Sequence, residues 1–154
     1  DIVIEEDGQQ IVLGDTTITF YLSPGHTQDG LFTVIEQLGV WIAGDYLSDF
    51  ELPFISHSTK AYEETLRKAI RILETHAVSV LVPGHGQMTS SEVEMKHRIL
   101  MSQQYLSRLI TAVIKEDSEA KVELEKEMPF PSDFTKQCHM ENIAITQQEY
   151  TKKK

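Results

Sequence analysis

The chain has 154 residues, 40% of them apolar and 25% charged, with a formal net charge of −10. That composition fits a globular domain rather than a disordered or membrane-spanning chain, and so acidic a surface repels phosphate backbones, which argues against nucleic acid as a partner. The lone cysteine, Cys138, excludes an internal disulfide and fits a reducing, cytoplasmic setting.

The first region, residues 1 to about 90, mixes short β-rich runs with glycine and proline. Ile11 to Leu13 and Thr17 to Leu22 are β-branched or aromatic and flank the turn pair Gly14-Asp15. Leu31 to Ile35 and Val40 to Ala43 form a second strand pair around Leu38-Gly39. Lys60 to His76 carries Leu66, Ala69, Ile70 and Leu73 on one helical face, with Ser58 or Thr59 as its cap. Val78 to Val82, apolar but for Ser79, has the pattern of a strand buried on both faces.

The second region, residues 91–154, is helix-like and rich in Glu, Lys and Gln. Thr89 with Glu92, or Ser91 with Glu94, spells a capping box for a helix running to about Glu116. Its stripe is Ile99, Leu106, Leu109 and Val113. The run from Ile99 to Ile114 is broken by Ser102, Gln103, Gln104 and Arg108, far from the roughly 18 unbroken apolar residues of a membrane span. Pro129 and Pro131 break the chain, and Phe134 to Tyr150 forms a last helix.

Three strand-end loops carry the chemistry: Ser23-Pro24-Gly25-His26-Thr27, Ala43-Gly44-Asp45-Tyr46, and Val82-Pro83-Gly84-His85-Gly86. In each, a small or rigid residue precedes one potential metal ligand, so the backbone turn aims that side chain off the strand end. A single Pro-Gly-His is ordinarily just a turn, and Gly-Asp is commoner still as turn chemistry. Two histidines and an aspartate presented in series, with a helix between the second and third loops, suit a borderline ion such as zinc.

Taken together, Pro24-Gly25-His26-Thr27, then Ala43-Gly44-Asp45, then Leu81-Val82-Pro83-Gly84-His85-Gly86 resemble the metallo-β-lactamase superfamily over about Ile11 to Gln87. The resemblance implies an α/β fold, the C-terminal half of an αββα sandwich, over residues 1–90, with a helical C-terminal extension over 91–154. It makes His26 a ligand of the first metal, Asp45 the catalytic carboxylate bridging both metals, and His85 a ligand of the second. It implies two zinc ions in the intact parent protein, with manganese or iron as substitutes. The hydroxide they hold attacks an ester, thioester, lactone or lactam. Glyoxalase II-like thioesterases, lactonases, β-lactamases and nucleases share these motifs, so the small-molecule substrate stays open, and the acidic charge demotes the nucleases.

One departure weighs heavily. The superfamily's His-x-His-x-Asp-His motif precedes all three loops, and no two histidines here are two residues apart. The chain opens Asp1-Ile2-Val3-Ile4 without an initiator methionine, as a fragment does. The isolated chain is accordingly expected to be inactive and to hold zinc weakly or not at all. Its apolar strand residues, drawn from Ile18, Phe20, Leu22, Phe32, Val34, Val40, Ile42, Val80 and Val82, are expected to pair with a homodimer mate or a cleaved N-terminal half. The rival function is a non-catalytic binding or oligomerisation module that uses the 91–116 helix stripe as a docking seam; a core-facing stripe is the simpler expectation.

Other candidates carry less. His57 suits a capping or surface role beside the Asp45 loop, His76 a helix C-terminus, and His97 a solvated face. Cys138-His139 reads as packing and surface, because adjacent helical positions face different ways. Asp49 is a second-shell or loop acid, and Tyr46 a buried structural tyrosine with oxyanion stabilisation as the alternative.

Overall fold

The computed structural model describes residues 2–127 and 130–151. Pro129 and the Lys152–Lys154 tail lie outside the described residues. Five strands form one sheet in sequential order: β1 (Gln9–Leu13), β2 (Thr16–Leu22), β3 (Leu31–Ile35), β4 (Val40–Ile42) and β5 (Val80–Val82). The first four pair antiparallel, and β5 pairs parallel to β4 after a crossover through helix α1 (Thr59–Thr75). A parallel neighbour needs such a long connection, which the chain spends on an amphipathic helix. Helices α2 (Glu92–Ile114), α3 (Ser118–Lys126) and α4 (Asp133–Tyr150) follow.

Each helix start is capped by a side-chain oxygen. Ser58 accepts the Ala61 N–H at 3.1 Å and starts α1, so Ser58 rather than Thr59 is the cap. Ser91 accepts the Glu94 N–H and starts α2, but its own N–H donates to Thr89 Oγ1 at 3.1 Å, so the expected capping box with Glu94 is not closed. Asp117 caps α3, a helix the sequence pattern did not announce because Leu124 is its one buried side chain. Ser132 and Thr135 form a reciprocal capping box at α4, so that helix starts one residue before Phe134.

The sheet divides its side chains by register. Phe32, Val34, Trp41 and Leu81 are at most 1% exposed and share one core with Tyr62, Leu66 and Ile72 of α1 and with Met95, Ile99, Leu106 and Leu109 of α2. The α2 stripe of Ile99, Leu106, Leu109 and Val113 is thus consumed inside the chain and offers no docking seam. The cross-strand partners Ile18 and Ile35, Leu22 and Leu31, Ile35 and Val40, and Ile42 and Val82 occupy the opposite face. None of these is fully buried, and Ile42 is 39% exposed.

Two sequence expectations need correction here. Phe32 and Val34 do not belong to the open apolar face. Their partners are Tyr21 and Thr19, one residue out of phase with Ile18, Phe20 and Leu22, and a one-residue phase difference reverses the face. The Val78 to Val82 run is not buried on both sides either. The strand is Val80–Val82, and Leu81 alone is fully buried. Among the described residues no helix is long and apolar enough to cross a membrane.

Candidate metal centre

Strand direction gathers the three loops. β2 and β4 each run antiparallel to β3, and β5 runs parallel to β4, so the C-terminal ends of β2, β4 and β5 share one sheet edge. The loop after β2 carries His26, the loop after β4 carries Asp45, and the loop after β5 carries His85. The Gly84 N–H donates to the Gly44 carbonyl at 2.6 Å and the Ala43 N–H to Val82 at 2.9 Å, which locks the last two loops side by side.

Asp45 stands between the histidines. Its Oδ2 lies 3.2 Å from His26 Nε2, and its Oδ1 lies 3.1 Å from His85 Nε2. The two imidazoles therefore address different carboxylate oxygens. His26 Nδ1 lies 2.8 Å from the Phe54 carbonyl oxygen, which can only accept, so Nδ1 carries a proton and Nε2 is the nitrogen turned to Asp45. Two imidazole Nε2 atoms, the His26 ring oriented by Phe54, and a two-oxygen carboxylate form a donor set that fits a borderline divalent ion. Among the described residues no group of three or more His, Cys, Asp and Glu side chains is disposed to hold an ion as it stands.

Glycine is required where the loops are tightest. A Cβ on Gly25, whose φ is +132°, would sit 2.5 Å from the Tyr62 Cα, and one on Gly84 would sit 2.9 Å from Asp45 Oδ1. Tyr46 is 3% exposed, and its hydroxyl donates to the Pro24 carbonyl at 2.9 Å and accepts the His26 N–H at 3.1 Å. Burial pushes this phenol up to about 12, with the hydrogen bond to the His26 backbone pulling the other way, so it remains a neutral donor. Its role is to hold the His26 loop.

Two positioning residues escaped the sequence pattern. Arg98 of α2 is 6% exposed, and its guanidinium donates to the Leu47 carbonyl at 3.2 Å and the Gln87 carbonyl at 2.8 Å, with Glu94 as counter-ion at 2.9 Å. It clamps the segment after Asp45 to the segment after His85. Asn142 of α4 is fully buried; it accepts the Ile55 N–H and donates to the Pro53 carbonyl, each at 2.7 Å. It thus brackets Phe54, whose carbonyl orients His26. The only sequence signal for either was a polar residue at a core-facing helical position.

The remaining candidates sort by contact. Asp49 accepts the Gln87 N–H at 2.9 Å and so steadies the His85 loop. His57 is exposed, and its N–H donates to the Gly25 carbonyl at 3.1 Å. His76 joins Tyr21 at 2.6 Å and Glu36 at 3.0 Å, and His97 is exposed. Cys138 is buried as expected, but His139 is not a surface residue. It is 1% exposed because Tyr105 meets its Nδ1 and the Lys121 carbonyl meets its Nε2, each at 2.8 Å.

No protein-family model and no curated protein matches the chain. Solved structures do match. A metallo-β-lactamase family protein from Thermus thermophilus superposes over 97% of this chain and 50% of its own, at a TM-score of 0.65 and 18% identity. A stereoselective inverting sec-alkylsulfatase from Pseudomonas covers 97% of this chain and 26% of its own, at 0.69 and 13%. A flavo-diiron protein from Thermotoga maritima covers 86% and 40%, at 0.51 and 16%. The chain therefore has the fold of part of a metallo-β-lactamase domain, and it spans half or less of the length of these three structures.

Proposed function

We propose that this chain is part of a metal-dependent hydrolase, in which His26, Asp45 and His85 would hold divalent ions. The observation that carries it is the split of the Asp45 carboxylate, one oxygen to each Nε2, with the His26 ring oriented by Phe54. Divalent ions held there would supply Lewis-acid polarisation of a carbonyl and acidify water. Zinc is the first choice for this donor set, with manganese or iron as substitutes. The substrate class is an ester, thioester, lactone or lactam. The chain's own residues orient the ligands, through Tyr46, Arg98 and Asn142, and line the approach to them.

Three ligands divided between two ions make a weak site, so the chain on its own is inactive and the further ligands come from outside it. The open sheet face of Ile18, Phe20, Leu22, Val40, Ile42, Val80 and Val82 is then the seat of the other half of the sandwich, in keeping with the half-length match to the Thermus protein. The single cysteine agrees with a cytoplasmic setting. The test is metal analysis of the intact protein that carries this chain, joined to a screen on esters, thioesters, lactones, lactams and phosphodiesters. Turnover that chelation removes and zinc restores supports the proposal. Absence of bound metal together with absence of turnover refutes it.

A further inference from the structure

We propose that the cavity beside His26, Asp45 and His85 seats an uncharged apolar acyl or aryl group of the substrate, and that Phe130 and Phe134, flanking the start of α4, set the preference for it. This rests on reading the histidine–aspartate cluster as a hydrolytic centre. The cavity measures about 240 Å³ and is continuous with all three of those side chains.

Its walls are aromatic. Phe50 meets Phe130 edge to face at 6.0 Å, and Phe54 meets Phe134 edge to face at 6.2 Å. Phe54 in turn stands edge-on to the His26 ring at 5.3 Å, so the apolar wall begins at a proposed ligand. Phe130 and Phe134 remain 58% and 63% exposed although each already has an aromatic partner. Two phenylalanines turned toward open space beside a polar cluster leave apolar area that a ligand can cover.

Charge decides what kind of group enters. Among the described residues the lining contains no Lys or Arg, and besides Asp45 its one carboxyl group is Glu51, whose Oε2 lies 4.0 Å from His85 Nδ1. A carboxylate or sulfate on the substrate's tail would find no fixed cation here and would meet Glu51. A cationic tail would compete with His85 for the same carboxylate. An uncharged hydrocarbon tail meets neither obstacle. At roughly 30 Å³ per water-sized unit, the volume holds on the order of eight non-hydrogen atoms. That is a hexanoyl, octanoyl or phenylacetyl group, larger than acetyl and shorter than a long fatty chain.

The test has two arms. On the intact protein, kcat/KM is measured for p-nitrophenyl acetate, butyrate, hexanoate, octanoate and laurate, and for a succinyl ester as the anionic control. The expected profile rises about threefold per methylene to hexanoate or octanoate and then levels, with the succinyl ester poor. Phe134→Ala flattens the rise, and Cys138→Phe, which fills the cavity from its buried wall, removes it. On the chain itself, the neutral fluorophore N-phenyl-1-naphthylamine should bind, with affinity falling at least fivefold in both variants. A flat chain-length profile unchanged by either variant, with probe binding equally unchanged, overturns the pocket and leaves the hydrolytic reading standing. Probe binding that both variants weaken, with no ester hydrolysed, supports the pocket and refutes the hydrolytic reading.

Discussion

Asn142 accepts the backbone N–H of Ile55 at 2.7 Å across 87 residues of sequence, and the same carboxamide donates to Pro53. Its second N–H to Tyr105, at 2.8 Å, ties the contact to α2. The last helix thereby fixes the carbonyl of Phe54 and, through it, the His26 ring. Replacing Asn142 by Leu should leave Ile55 N–H and Pro53 C=O buried without partners, at a cost of about 2–4 kcal/mol in urea unfolding. The His26 imidazole resonance should broaden at the same time. An unchanged midpoint with a sharp His26 signal would show that α4 does not position this ligand.

Arg98 makes the corresponding contact on the other side of the site. Arg98→Met keeps the apolar stem but strips the Leu47 and Gln87 carbonyls of their donor. The expected loss is about 2–3 kcal/mol of stability and, in the intact protein, about 10–100-fold in metal affinity. Arg98→Lys should recover only part, since an ammonium group cannot reproduce the planar fork. Metal affinity equal to wild type in Arg98→Met would remove Arg98 from the positioning set.

His139 gives a pH dependence of defined sign. Burial holds this imidazole below the ordinary histidine range, with the hydrogen bond to the Lys121 carbonyl opposing. The folded chain keeps it neutral, accepting from Tyr105 and donating to Lys121, whereas the unfolded chain takes up a proton at the usual histidine pKa. The unfolded state then binds more protons, so stability rises with pH through that window. It is fully present above the unfolded pKa and is lost as pH falls toward the lowered folded value. Urea unfolding between pH 5 and pH 8 should show this slope, and His139→Gln should flatten it. Equal slopes for the two proteins would contradict the assignment.

The open sheet face predicts association. Ile18, Phe20, Leu22, Val40, Ile42, Val80 and Val82 share that face by register, and among the described residues none of them joins the helix-packed core. Apolar patches of this extent are rare on monomers. In sedimentation at micromolar concentration the isolated chain should self-associate, and Phe20→Glu should shift it toward monomer. A cooperative, well-folded monomer of the unsubstituted chain would show that the face needs no cover.

Much of this was legible in the sequence, for identifiable reasons. His26, Asp45 and His85 each follow a glycine at a strand end, and local turn chemistry is written in adjacent residues. The strands at 17–22 and 31–35 and the helix at 60–76 declared themselves by period. The face of Phe32 and Val34 was not legible, because a run of apolar residues does not reveal its phase until it is paired. Arg98, Asn142 and His139 were missed because a buried polar residue depends on partners dozens of residues away. Helix α3 was missed because its caps and charges mattered more than an apolar stripe.

We propose that His26, Asp45 and His85 form one shared metal centre. The most direct measurement is zinc titration of the chain with the histidine ring resonances followed by NMR. The His26 and His85 signals should move together, at submillimolar to millimolar zinc, while His57, His97 and His139 stay in place, and Asp45→Ala should abolish the joint response. Independent or absent shifts of His26 and His85, or two zinc ions bound tightly by this chain alone, would contradict the account.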